Sequence, residues 1–225
     1  MKSGEVKLFA AILVVAIILV AVALVPMLTA RDPRKPAPPP RGLTGEELAP
    51  PSARSLGNPK ARYTLVEFGD YQCGLCKTAH DRSKGWIKKY GDRLRYVFYF
   101  YAAVTHLHSR SMARAAEAAA EQGKYWEMHN LLFQNAPTMS KLSPKEGDEL
   151  IMKLAAKLKL DMIKFRAALQ GPSTDKAVTA GEDLAVRAGV QSTPHFFIVT
   201  PDGKIDRLQF LDNVEQWLKD PTKFK

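Results

Sequence analysis

The sequence predicts an α/β domain that runs β-α-β, then a block of helices, then β-β-α, preceded by one N-terminal transmembrane helix. Three observations predict it. Two strand-like runs, Tyr63–Phe68 and Arg93–Tyr101, bracket a helical pattern within about forty residues, the size of a βαβ unit. The next eighty or so residues repeat apolar side chains at spacings of three and four, which is the helical period. The signal Pro201-Asp202-Gly203 then separates two further apolar runs, as a tight turn does in a hairpin.

In chain order, residues 1–7 form a short tail, and Leu8 to Val25 is an unbroken run of eighteen apolar residues. No charge falls between Lys7 and Arg31, so the run and its flanks span a hydrocarbon core of about 30 Å. The run is longer than the centre of a signal peptide, and Leu28-Thr29-Ala30 offers a large residue where a cleavage site needs a small one. Residues 8–28 are therefore read as a retained anchor. Eight of the fifteen prolines lie in residues 26–51, so residues 29–56 read as a semi-rigid spacer and the domain as residues 57–221. Flanking charge (Lys2 and Lys7 against Arg31, Arg34, Lys35 and Arg41) leans toward a cytoplasmic domain. Large domains escape that tendency, and the chemistry below points outward.

Within the domain, Tyr63–Phe68 is dense in apolar residues and reads as a buried strand. It ends in the turn Gly69-Asp70-Tyr71-Gln72, with Asp70 expected to face solvent. Gly74 to Tyr90 is helical, stopped by Gly91, and Arg93–Tyr101 is a second central strand rich in aromatic and β-branched residues. The connection between the two strands should be right-handed. A helical insertion fills residues 109–188, beginning with the Ala-rich stretch Ser109–Gln122 and then Tyr125–Phe133. A third helix opens on the capping box Ser143-Pro144-Lys145-Glu146 and carries Leu150, Ile151, Leu154 and Leu158 on one face. Met162, Phe165 and Leu169 mark a fourth, and Asp175–Ala188, closed by Gly189, a fifth. Strands at Phe196–Val199 and Lys204–Phe210 and a last helix at Val214–Leu218 complete the pattern.

Composition narrows the function. With 46% hydrophobic residues the chain is not disordered along its whole length. The formal charge of +10 is divided: residues 1–41 hold six basic and two acidic side chains, and beyond them the signs alternate along the chain. No basic stripe interleaved with aromatics exists, so no nucleic-acid partner is expected. Two cysteines cannot build a disulfide scaffold, and both fall in Cys73-Gly74-Leu75-Cys76.

That spacing has a chemical use. Cys73 falls at the start of a helix, where free amides and the positive dipole end favour a thiolate. Cys76, one turn on, can reach its sulfur, and such a pair passes two electrons through a mixed disulfide. A zinc half-site or inert cysteines are the competing readings. Zinc needs four ligands and no second CxxC exists, so His106 and His108 would have to close in, or two chains would have to share the pair.

Three segments carry a resemblance: Gly57-Asn58-Pro59 through Val66 to Cys76, His108 through Trp126, and Gly189 through Ile198. Together they resemble a DsbA-like thiol–disulfide oxidoreductase, which implies a thioredoxin-like fold with a helical insertion. The resemblance implies that Cys73 is the nucleophile and Cys76 the resolving cysteine. It implies a cis Thr193-Pro194 bond beside the sulfurs, with the Thr193 backbone free to pair with an extended substrate. Glu67, six residues before Cys73, matches a carboxylate buried beneath the active-site helix, where burial raises its pKa for proton relay. Leu75 and His195 are expected to form a substrate-docking rim, and His80 is expected at the surface. Where strong oxidants of the family often carry Pro-His between the cysteines, Gly74-Leu75 adds no charge. Cys73 should then be less acidic and the disulfide less oxidising. No cofactor or metal is expected beyond the Cys73–Cys76 disulfide itself. The expected partners are cysteine-containing exported proteins and a membrane or soluble redox protein. The expected location is the inner membrane, single-pass, with the domain on the periplasmic side. A noncatalytic tethered binding protein of the same fold is the remaining alternative.

Overall fold

The computed structural model describes Val20 and residues 42–104, 106–208 and 211–220. Its elements are α1 (Gly45–Leu48), β1 (Ser55–Gly57), β2 (Tyr63–Gly69), α2 (Gly74–Tyr90), β3 (Leu94–Phe100), α3 (Ser109–Ala120), α4 (Tyr125–Met139), α5 (Pro144–Lys157), α6 (Met162–Gln170), α7 (Pro172–Arg187), β4 (His195–Val199), β5 (Ile205–Leu208) and α8 (Leu211–Lys219). Of the anchor read at residues 8–28, every residue but Val20 lies outside the described residues. Among those described, no helix is long and apolar enough to cross a membrane.

The strands form one sheet in the order β1-β3-β2-β4-β5. β2 and β3 are parallel, from Tyr63 opposite Leu94 to Gly69 opposite Phe100, and α2 connects them. β4 lies antiparallel on the other edge of β2, and β5 antiparallel to β4. Successive strand residues point to opposite faces, and two cores result. Leu65, Phe98, Phe196 and Ile198 pack on the face that also takes Cys76, Ala79 and Trp86 of α2 and much of the helical insertion. Val66, Phe68, Val97 and Phe197 pack on the other, with Leu48, Ala185 and Val190. Phe196 and Phe197 are fully buried, one in each core, and each stabilises the fold by about 2–3 kcal/mol. Glu67 lies opposite Phe98 and Phe196 in the registers. Its position in the alternation therefore aims it at the α2 side.

The insertion is α3 to α7. Five buried alanines on α3 (Ala113, Ala115, Ala116, Ala118 and Ala119) let neighbouring helices approach closely. α5 opens on the expected capping box, the Ser143 amide donating to Glu146 Oε2 at 2.8 Å. α4 runs past Phe133 and through Pro137 to Met139. A proline this near a helix end removes one amide donor and leaves most of the turn intact.

The domain begins earlier than expected. Residues 44–57, assigned by sequence to the spacer, are packed: Thr44 caps α1 and Leu48 is fully buried. Pro50 and Pro51 supply no amide, and the carbonyls around them are satisfied instead by buried Arg95. Its guanidinium donates to Ala49 O at 3.2 Å, Pro50 O at 2.6 Å and Ala53 O at 3.0 Å. Arg54 pairs with Glu117 and Arg187 with Glu47. β1 ends on Gly57 at φ +78°, where a Cβ would collide with the Leu94 carbonyl, so only glycine fits.

Candidate active site

β2 delivers the site. Its last residue, Gly69, leads into Asp70-Tyr71-Gln72, and Cys73 then caps α2 in extended backbone (φ −75°, ψ 123°) with no acidic residue in the first turn. Cys73 is half-buried and Cys76 buried, both as free thiols. The Thr193–Pro194 peptide is cis, as expected. It places the Thr193 carbonyl against the nucleophile, and the Cys73 thiol donates to that oxygen at 3.5 Å. Leu75 projects into solvent at 64% exposure.

The two sulfurs are driven apart in acidity. Cys73 is lowered to about 6, chiefly by a hydrogen bond from the Cys76 thiol, with the Cys76 and Leu75 amides adding to it against partial burial. Cys76 is pushed well above its ordinary value by burial, with its bond to Cys73 and the Glu67 carboxyl acting in the same direction. Its Sγ accepts the Asp70 amide at 3.4 Å.

Glu67 is wholly buried and raised to about 8 by desolvation, which outweighs the hydrogen bond that Tyr96 donates to Oε2 at 2.7 Å. Among the described residues Oε1 has no hydrogen-bond partner, and it is open to hold a proton.

Three residues sit elsewhere than the sequence suggests. Asp70 is fully buried, not solvent-facing; the 106–109 segment covers it and supplies donors. His80 is 3% exposed, not a surface residue. Its helical face is that of Cys76, and its ring stacks on Phe133 at 4.7 Å and meets His129 edge-on at 5.2 Å. Burial lowers His80 to about 4. His195 is 5% exposed and packs its ring on Phe197 at 5.0 Å. Strand alternation turns it away from the sulfurs, so it presents no ring beside Leu75. Val104 and Leu107, on the loop after β3, are also exposed. His106 and His108 are engaged with other partners, His106 Nδ1 lying 2.6 Å from Asp70 Oδ2 and His108 Nε2 3.0 Å from Leu142 O. Among the described residues no group of three His, Cys, Asp or Glu side chains converges as for a metal ion.

Fold and dithiol together define the class, a thioredoxin-like domain with a helical insertion and a CxxC pair at the start of α2. A family model described as thioredoxin matches residues 50–220, and the chain belongs to that family. It is similar to a thioredoxin-like oxidoreductase from Silicibacter pomeroyi, 27% identical with a TM-score of 0.59, over 76% of this chain and 95% of that one. The thiol-disulfide exchange protein alpha-DsbA2 from Wolbachia pipientis shares the fold at 20% identity and a TM-score of 0.61, over 78% and 90% of the two chains. Among curated proteins, a Na(+)/H(+) antiporter NhaA from Herminiimonas arsenicoxydans is 34% identical over 146 residues, 63% of this chain and 21% of that protein. The chain spans about a fifth of the length of such relatives.

Proposed function

We propose that the protein is a membrane-anchored, extracytoplasmic thiol–disulfide oxidoreductase that exchanges disulfides with exported proteins. The observation that carries this is the split pair: an accessible Cys73 thiol lowered to about 6, one turn from a buried Cys76 held well above its ordinary value. In the reducing direction the Cys73 thiolate attacks a substrate disulfide and expels one substrate thiolate. Cys76 then gives up its proton, attacks Cys73 Sγ and expels the second. Two electrons pass to the substrate and the enzyme keeps the disulfide; the reverse sequence oxidises a substrate dithiol.

Glu67, at about 8, holds its proton near neutrality. As the enzyme disulfide opens, that proton goes to the more basic Cys76 thiolate, and in the reverse step Glu67 takes it back. As a thiolate or bonded to a substrate, Cys73 has no proton to donate to the Thr193 carbonyl, which is then free for a substrate amide. Leu75, two residues after Cys73, offers exposed apolar surface for the substrate. The anchor read at residues 8–28 and the preference of disulfides for oxidising compartments support the outward location. Electrons would leave or arrive through a membrane or soluble redox protein, and no bound cofactor takes part.

Thiol trapping in intact cells tests this. After reduction of intact cells with a membrane-impermeant phosphine, a membrane-impermeant maleimide should label Cys73 without lysis, and Cys73→Ser should abolish both the labelling and exchange with a model disulfide. Labelling that requires lysis would reject the outward location, and exchange retained in Cys73→Ser would reject the chemistry.

A further inference from the structure

Asp70 is a buried side chain that the exchange reaction described above does not use, and its peptide touches both cysteines. Its carbonyl accepts the Cys73 amide at 3.1 Å and its amide donates to Cys76 Sγ at 3.4 Å. The side chain is fully buried and saturated with donors. Oδ1 accepts the Gln72 amide at 2.9 Å and the Ser109 hydroxyl, and His106 Nδ1 lies 2.6 Å from Oδ2. The Gln72 side chain accepts the His108 amide, a second strap between the same two segments. The turn before the cysteines is thereby fastened to the loop that opens the helical insertion. Buried side chains rarely collect three donors unless the geometry they hold matters.

We infer that Asp70, braced by His106 and Ser109, is a positioning residue that holds its own amide on the resolving sulfur and so speeds the attack of Cys76 on the mixed disulfide. An amide donated to sulfur favours the thiolate over the thiol. Cys76 needs that help because burial and Glu67 both oppose its ionisation. The role concerns the second step. Cys73 receives its largest help from the Cys76 thiol and from the amides of α2, none of which the Asp70 side chain supplies. The inference rests on the exchange function proposed above.

The reduced protein and 5,5′-dithiobis(2-nitrobenzoate) separate the steps. Attack by Cys73 on this disulfide releases one nitrothiobenzoate and leaves the other bonded to Cys73. Attack by Cys76 on Cys73 Sγ then releases the second as the enzyme disulfide forms, so two releases report two steps. Asp70→Ala should leave the first phase near the wild-type rate and slow the second about tenfold. His106→Ala, which removes one strap from a half-exposed side chain, should slow the second about threefold and keeps the test open if Asp70→Ala does not fold. Asp70→Asn, which retains an oxygen for Gln72 and Ser109, should recover most of the second phase. A general loss of structure would slow both phases together and lower the melting temperature in proportion. Equal slowing of both phases, an unchanged second phase in His106→Ala, or an Asn variant as slow as Ala would overturn the positioning role. A wild-type protein with no second release would overturn this role and the proposed function together.

Discussion

Replacing Glu67 by Gln removes a titration that the fold opposes. In an unfolded chain the carboxyl ionises near 4.5, whereas in the fold it holds its proton to about 8. Above the lower value the unfolded state loses a proton that the folded state keeps, so stability falls as pH rises and the loss is complete once pH passes the folded value. At 1.36 kcal/mol per pKa unit, this one group costs wild-type protein roughly 4 kcal/mol between about pH 5 and about pH 9. A glutamine there has no such titration and keeps an oxygen for the Tyr96 hydroxyl, which in the wild type donates to Oε2 at 2.7 Å. Cys73 runs the other way: its lowered pKa adds stability above its ordinary value, lost as pH falls through about 6. Both proteins carry Cys73, so its contribution largely cancels in the difference. The assay is urea unfolding of the two reduced proteins across this pH range, with equal slopes against urea as the control. Near pH 5 Glu67→Gln should match the wild type or fall slightly below it. The variant should then gain steadily, ending about 4 kcal/mol ahead near pH 9. Parallel curves would refute the reasoning, because they would mean that Glu67 ionises in the fold as it does in water.

Two other perturbations read the same electrostatics. Cys76→Ala deletes the largest influence that lowers Cys73, so the midpoint of Cys73 alkylation against pH should move upward from about 6; an unmoved midpoint would assign the acidity to the helix amides instead. His80, lowered to about 4 by burial with Lys84 and Lys77 adding to the effect against Asp81, gives stability that is full above its ordinary 6.5 and drains as pH falls through the folded value. His80→Phe keeps a flat ring for Phe133 and should gain about 2 kcal/mol on the wild type between about pH 6.5 and pH 4, measured by the same unfolding assay. A constant gap would place the His80 ring in contact with solvent.

Long periodic segments made most of the fold legible. α2 was readable because the helical pattern, the cysteine pair at its start and Gly91 at its end all agree. β1 was not, since three residues cannot carry an alternation and the strand it pairs with, β3, is about forty residues away. The packed stretch before it was hidden for a related reason. Prolines mark a segment that cannot make its own backbone bonds, yet the donor that satisfies its carbonyls is Arg95, more than forty residues on. Proline content therefore reports what a segment lacks, and tertiary structure decides whether that lack leaves a free spacer or a docked strap.

The site follows the same division between what a residue's own element fixes and what a distant element supplies. Glu67 was placed by resemblance to a buried carboxylate six residues before the first cysteine, because β2 is buried on both faces and its apolar pattern does not single out one of them. The structure sets Glu67 two positions after Leu65 on the face toward α2. His80 was legible in principle: it stands four residues after Cys76, one turn along the face that buries that sulfur. Its charge-capable ring argued for the surface, while the helical period argued for the interior, and the period was the better guide. Asp70 could not be placed by either argument. In isolation a carboxylate in a Gly-Asp-Tyr-Gln turn belongs in water, and what buries it is a histidine and a serine contributed from 36 and 39 residues away. Those partners lie on the loop that begins the helical insertion. The insertion therefore does more than cover one face of the sheet: it reaches back to the peptide that contacts both cysteines, and a thioredoxin fold without that loop would have to hold its resolving sulfur by other means.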